Sequence, residues 1–312
     1  MNINMEEKKI CVIGLGGVGG VVGGALAKKY PHVSFIVRGP RKESIQNKGL
    51  NVKSDYMGDF NVMPEKATDV ADELGIMDYI FICVKNYSLE QVCKQIAPMV
   101  GEKTVVVPIM NGTNPGERTR KYLGKGIVLD SLIYIVSGSE EDFTVVQKGD
   151  YASIHIGLKN PAAEEKIEIE NVHQLLNATK LDCVVEEDIE AAIWKKYIMN
   201  CAFNVITAYY SATTGELRSD PKKLEEFKML TNEACLVART MGVKIPDSME
   251  EDNFNRFMNV QPDGATSSLR RDMDACRPNE LETFSGYLLE LAEQYELNIP
   301  TTKQFYSALK SR

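Results

Sequence analysis

The sequence predicts an α/β domain built on a parallel sheet, followed by an all-α domain. Three observations carry this. Short β-branched runs alternate with helical stretches through the first half of the chain. A glycine-rich turn joins the first apolar run to the first helix. After Val185 the strand signals stop and helical periodicity continues to the C-terminus. The 312 residues suffice for two domains, each with its own core. The boundary is predicted near 184–188, giving domains 1–185 and 186–312.

In order, the predicted strands are Lys9–Ile13, Ser34–Val37, Tyr79–Val84, Thr104–Met110 and Ile127–Val136. Amphipathic helical segments, among them Val18–Lys29 and Leu89–Met99, lie between them. Strand, helix, strand at this spacing implies parallel pairing through right-handed crossovers. Phe143–Leu158, punctuated by Gly149 and Gly157, reads as antiparallel strands finishing the same sheet. The second domain is predicted as helices over Asp188–Tyr210, Pro221–Met241, Met249–Met258, Ser267–Ala275 and Asn279–Tyr295.

Composition narrows the classes. With 36 basic and 44 acidic side chains the net charge is −8, which argues against nucleic acid or an anionic membrane as partner. No apolar run reaches the roughly 18 residues of a membrane span. The polar start, Met1–Lys9, lacks the apolar stretch of a secretory signal. The seven cysteines form no Cys-x-x-Cys pair, so neither a disulfide framework nor a zinc site is indicated, and a reducing, cytoplasmic setting is expected. Cys11 and Cys83 lie inside apolar runs and read as small buried hydrophobes.

The run Ile10-Cys-Val-Ile-Gly14-Leu15-Gly16-Gly17-Val18-Gly19 passes from strand to glycine loop to helix, the context a dinucleotide-binding Rossmann unit requires. Gly14 makes the tight turn, Gly16 lets the backbone approach a pyrophosphate, and Gly19 lets helix and strand pack closely. The helix N-terminus supplies free N–H groups and a positive dipole end. The predicted second strand ends not in the acid that binds an unphosphorylated ribose but in Arg38, with Arg41 close behind. A guanidinium there suits a 2′-phosphate, which points to NADPH; a solvated loop arginine is the alternative. Lys85 and Asn111 end two further predicted strands, on the edge where open α/β sheets bind ligands. Alone, each is equally a loop lysine or a turn asparagine. Together they favour a cofactor or substrate role.

In the first helix after the boundary, Lys196, Asn200, Asn204 and Thr207 fall within an arc of roughly 80°. Trp194, Ile198, Met199, Ala202, Val205 and Ile206 cover the rest. A helix this apolar is expected to be buried, so its polar stripe either is paired internally or lines a site.

These segments together resemble the ketopantoate reductase (2-dehydropantoate 2-reductase) family, whose product pantoate leads to pantothenate and coenzyme A. The resemblance spans nearly the whole chain. It rests on Gly14–Gly19, Arg38, Val84-Lys85, Asn111-Gly112, Trp194-Lys-Lys196 with Asn200 and Asn204, Gly215-Glu-Leu217, Ser267–Asp272 and Arg277-Pro-Asn-Glu280. It implies a helical domain like the C-terminal domain of 6-phosphogluconate dehydrogenase. It also implies NADPH as hydride donor and a small 2-oxo acid as partner. Lys196 is then the catalytic lysine and general acid. Asn200 and Asn204 hydrogen-bond the substrate, Ser268 binds its carboxylate, and Glu280 positions substrate and lysine. Lys85 and Asn111 reach toward cofactor and substrate. Read without the resemblance, Glu280 is a carboxylate at a helix start after Pro278, and Ser267 or Ser268 an N-cap.

The chain departs from the family pattern at Thr214, where an asparagine is common, and in the run Thr113-Asn114-Pro115. A reductase of another small 2-oxo acid therefore stays open beside ketopantoate, and a non-catalytic NADP(H) sensor behind both. A homodimer is the assembly kept in view.

Overall fold

The computed structural model describes residues 5–312. They form two compact units, residues up to Met110 with Asn114–Ile189, and Asn111–Thr113 with Glu190–Arg312.

The first unit runs β1 (Ile10–Ile13), α1 (Gly17–Lys29), β2 (Val33–Ile36), α2 (Gly39–Lys48), β3 (Leu50–Ser54), β4 (Phe60–Val62), β5 (Lys66–Thr68), β6 (Tyr79–Ile82), α3 (Leu89–Ile96), β7 (Val105–Pro108), α4 (Pro115–Leu123), β8 (Ile127–Val128), β9 (Asp130–Ser139), β10 (Val145–Gly157), α5 (Ala163–Asn177) and β11 (Asp182–Val185). Six strands form a wholly parallel sheet in the order β5-β2-β1-β6-β7-β8. Renumbered within the sheet, this is 3-2-1-4-5-6, the order of a Rossmann fold. β1, β2, β6 and β7 are buried along their whole length, as continuous apolar runs in a parallel sheet require.

The second sheet was not legible in the sequence. β10 pairs parallel with β3 and β11 and antiparallel with β9, and β4 pairs with β3. The expectation that Phe143–Leu158 closes the first sheet is therefore corrected, since that segment is one long strand of the other sheet. The predicted strand Ile127–Val136 also divides: β8 ends the parallel sheet, and β9 leaves it for the second. A third correction concerns α1. Expected to be amphipathic, it is buried from Gly19 through Leu26 because strands of both sheets pack against it.

The second unit is helical: α6 (Ile189–Tyr210, its first residue belonging to the first unit), α7 (Thr214–Arg218), α8 (Pro221–Thr240), α9 (Met249–Asn259), α10 (Ser268–Asp274), α11 (Tyr287–Gln294) and α12 (Pro300–Lys310). Among the described residues no strand follows β11. The ends are set by local chemistry. Thr213 and Glu216 form a capping box on α7, Asp220 caps α8 ahead of Pro221, and Ser267 caps α10. Glu233 of α8 accepts the backbone N–H groups of Thr301 (2.8 Å) and Thr302 (2.7 Å), satisfying the start of α12. Tyr197, Phe227, Phe257, Phe284 and Phe305 are fully buried in this unit's core, and Phe227 stacks on Phe257 at 4.2 Å. The helix predicted over Asn279–Tyr295 contains a π-helical turn at Glu282–Gly286 before it continues as α11.

No described helix is long and apolar enough to cross a membrane, and no described cluster of His, Cys, Asp and Glu could hold a metal. All seven cysteines are free. Cys11 is fully buried as expected, and burial pushes its thiol well up; Cys83 is only partly buried at the edge of the core, with its thiol pushed up to about 12.

Candidate functional site

The glycine loop lies where β1 and β6 meet at the reversal of strand order, the point at which such sheets bind nucleotides. Gly14 has φ +87°, and a Cβ there would fall 2.6 Å from the Cys83 carbonyl oxygen at the end of β6. A Cβ at Gly19 would lie 2.1 Å from the Gly14 oxygen, which is the close helix–strand packing expected of it. At Gly16, by contrast, a Cβ would meet nothing within 4 Å. Its missing side chain is not demanded by the protein's own packing, which suits the approach of a ligand. Gly17 has a job the motif did not reveal: a Cβ there would sit 2.7 Å from Gly138 N of β9. The Leu15 side chain is buried in the core, so that residue offers a ligand its backbone alone. The α1 N-terminus has no side-chain cap. These features fit a dinucleotide pyrophosphate held on backbone N–H groups.

Arg38 lies two residues past β2 as the N-cap residue of α2 and is exposed, with no hydrogen bond or ion pair to other described residues. Arg41 is committed elsewhere. It donates to Ser139 Oγ and to the Phe143 carbonyl (3.2 Å), and burial lowers its pKa. Of the two arginines read from the sequence, Arg38 is thus the one with its donors open. Lys85 follows β6 and is half-buried at the start of a short 3-10 turn, Asn86–Ser88.

In the helical unit three predicted residues are in hydrogen-bond contact. Lys196 Nζ donates to Asn111 Oδ1 at 3.2 Å, and Asn111 Nδ2 donates to Glu280 Oε2 at 3.1 Å. Asn111 follows β7, and residues 111–113 group with the helices. Glu280 is buried. Burial pushes the Lys196 ammonium down to about 8, while the Glu280 carboxylate opposes that shift without cancelling it.

Two turns further along α6, Asn204 Nδ2 donates to Asn200 Oδ1 at 3.3 Å. Asn204 Oδ1 accepts from Ser268 Oγ at 3.3 Å and from Leu269 N at 3.4 Å. The stripe read from the sequence is therefore linked from Asn200 through Asn204 to α10, with Lys196 about one turn ahead of Asn200. Thr207 leaves it: fully buried, its hydroxyl is within bonding distance of the Phe203 carbonyl and of Ser267 Oγ, both at 2.7 Å. Ser267 accepts from Arg270 N at 3.1 Å and is the N-cap, which leaves Ser268 half-buried beside Asn204. Thr214 is fully buried, with its N–H and hydroxyl both directed at the Ala265 carbonyl, just before Ser267.

Sequence reasoning missed Tyr197, whose Oη donates to the Thr283 carbonyl at 2.8 Å. Only its place beside Lys196 could have drawn attention to it. A second constellation was also missed, with Ser153 Oγ 3.2 Å from His155 Nε2 and His155 Nδ1 2.6 Å from Glu186 Oε1. The order is that of a hydrolytic triad. However, β10 is laddered to β9 and β11 at these residues, so its backbone N–H groups are engaged and cannot stabilise an oxyanion there.

Among known proteins, residues 10–161 match the family model described as ketopantoate reductase PanE/ApbA, and residues 188–312 match the model of its C-terminal part. The uncharacterized oxidoreductase YkpB of Bacillus subtilis (strain 168) is 30% identical over 302 residues, 97% of this chain and 98% of its own length. A 2-dehydropantoate 2-reductase of Nostoc sp. is 25% identical, covering 98% of this chain and 95% of that protein. The crystal structure of 2-dehydropantoate 2-reductase from Porphyromonas gingivalis W83 has a TM-score of 0.81 at 28% identity, covering 97% of this chain and 99% of that one.

Proposed function

The chain belongs to the ketopantoate reductase family, PanE/ApbA, and we propose that it is an NADPH-dependent reductase converting 2-dehydropantoate (ketopantoate) to pantoate. The observation that carries the reading is the line Lys196–Asn111–Glu280, which supplies a lysine whose pKa of about 8 leaves it protonated, yet ready to give up its proton, near neutral pH.

Bound NADPH would deliver hydride to the 2-oxo carbon; the remaining work falls to the chain's own residues. We assign nucleotide binding to residues 1–185 and substrate chemistry to residues 186–312, with Asn111 serving the latter. The backbone of Gly14, Leu15, Gly16, Gly17, Val18 and Gly19 takes the pyrophosphate, Arg38 takes the 2′-phosphate, and Lys85 reaches toward the cofactor. Asn200 and Asn204 hydrogen-bond the substrate and Ser268 binds its carboxylate. Lys196 stabilises the developing alkoxide and donates the proton that completes the alcohol, directly or through a water. Asn111 and Glu280 hold the lysine in place and keep part of its charge.

Thr214 favours a second reading, a different small 2-oxo acid on the same machinery. The family often has an asparagine at this position, and Thr214 is instead fully buried and bonded to the Ala265 carbonyl. Oxidation of NADPH with a panel of 2-oxo acids separates the readings. Ketopantoate is expected to turn over well above 2-oxoisovalerate. Equal rates would move the assignment to another acid, and no oxidation with any acid would leave an NADP(H)-binding sensor.

A further inference from the structure

The helix that follows Glu280 is apolar enough to run as a regular α-helix, yet its first turns do not. Tyr287 N–H, which in an α-helix would donate to the Thr283 carbonyl, donates to Glu282 O, five residues back. The Thr283 carbonyl accepts instead from Tyr197 Oη at 2.8 Å. Tyr197 is fully buried, and its ring stands edge-on to Trp194 at 5.3 Å. It is the chain neighbour of Lys196.

We propose that Tyr197 is a positioning residue: by holding the Thr283 carbonyl it keeps the π-turn open, and the open turn aims Glu280 at Asn111 and Lys196. This rests on the reading of Lys196 as the acid. Phe284 and Leu288 are seated in the core of the helical unit, so the body of the helix cannot rotate to absorb the extra residue. Closing the turn to an α-helix would therefore be taken up on the N-terminal side. One residue of helix is about 100° of rotation and 1.5 Å of rise. Such a rotation at Glu280, which immediately precedes this helix, would break its 3.1 Å bond with Asn111. α6 thus carries the acid and, one residue later, the strut that aims the acid's counter-charge.

The test is the titration of Lys196 in the full chain without substrate, read by competitive acetic anhydride labelling and mass spectrometry of its peptide. Tyr197→Phe keeps the ring and removes the hydroxyl. As the Glu280 charge recedes, the Lys196 pKa is expected to fall by about half a unit or more. Glu280→Gln should lower it likewise, and the double variant should fall no further than Glu280→Gln alone. A folded Tyr197→Phe protein that titrates like wild type, or a shift that adds fully to that of Glu280→Gln, would overturn the proposal. Should Tyr197→Phe fail to fold, deletion of Thr283 removes the extra residue directly. Because an α-helix one residue shorter leaves both flanks in register, Glu280 keeps its aim and Lys196 is expected to titrate as in wild type; a fall like that of Glu280→Gln would overturn the proposal. Labelling needs no turnover, so it decides the role of Tyr197 even if no 2-oxo acid proves to be a substrate.

Discussion

Lys196 Nζ lies 3.2 Å from Asn111 Oδ1, and the other end of the same amide lies 3.1 Å from Glu280 Oε2. A neutral group with opposite polarity at its two ends thus touches a half-buried ammonium at one end and a buried carboxylate at the other. The carboxylate favours the ammonium, but burial outweighs it and the lysine comes down to about 8.

For an acid that must be protonated, reduction should be fastest below about pH 8 and fall up to tenfold per pH unit above it. Lys196→Ala should lower kcat on the order of 10²- to 10⁴-fold while the Kd for NADPH stays within a few fold. A variant with unimpaired turnover would end the role of Lys196 as acid.

Stability should respond to pH in the opposite sense. The folded pKa of about 8 lies below the ordinary lysine value of 10.5, so between these values the unfolded chain holds the proton more often. Below the window the buried charge costs stability, and through it that cost is relieved as pH rises. Urea midpoints measured on either side of the window should therefore differ less in Lys196→Met than in wild type.

Gly16 and Gly19 should part company when each is changed to alanine. Gly16→Ala meets nothing within 4 Å and should melt like wild type while losing NADPH affinity tenfold or more, by an order-of-magnitude judgement from the closeness of backbone and pyrophosphate. Gly19→Ala brings Cβ to 2.1 Å of the Gly14 oxygen and should cost roughly 1–3 kcal/mol of stability or more. Unchanged binding by Gly16→Ala would place the pyrophosphate elsewhere.

Arg38→Ala removes the open guanidinium just past β2. Loss of charge-assisted bonds worth about 1.5–3 kcal/mol should weaken NADPH roughly 10- to 150-fold and leave NADH nearly unchanged. Titration calorimetry with both nucleotides checks this, and equal losses would remove the 2′-phosphate from Arg38.

The adjacent serines should also separate. Ser267→Ala deletes the α10 cap and a buried partner of Thr207, at a cost of about 1 kcal/mol in stability. Ser268→Ala should leave the melting temperature nearly intact and raise KM for the 2-oxo acid. The reverse pattern would exchange their roles.

Much of this was local enough to read along the chain. The glycine loop is legible because each glycine answers a constraint within one strand–turn–helix, and Gly14 and Gly19 meet those constraints as expected. The stripe Lys196–Asn200–Asn204 is legible because helical periodicity alone puts the three on one face. Arg38 could be singled out from its position at a strand end, but its freedom could not. That depends on Arg41 being drawn to Ser139 and Phe143, about a hundred residues away.

By itself the sequence determined the order of the two domains, the parallel sheet around the loop, and the residue types along the glycine loop and the polar stripe of α6. Those properties follow from periodicity and from contacts among near neighbours. Only the tertiary structure decided that β9 and β10 form a second sheet over α1, that Gly17 must make room for Gly138, and that Asn111 joins Lys196 to Glu280. Each of these depends on packing between segments distant in sequence. The lysine shows the division most plainly: its place on the helix is a matter of 3.6 residues per turn, whereas its lowered pKa reflects burial and a carboxylate 84 residues further along the chain, neither of which a local pattern can encode.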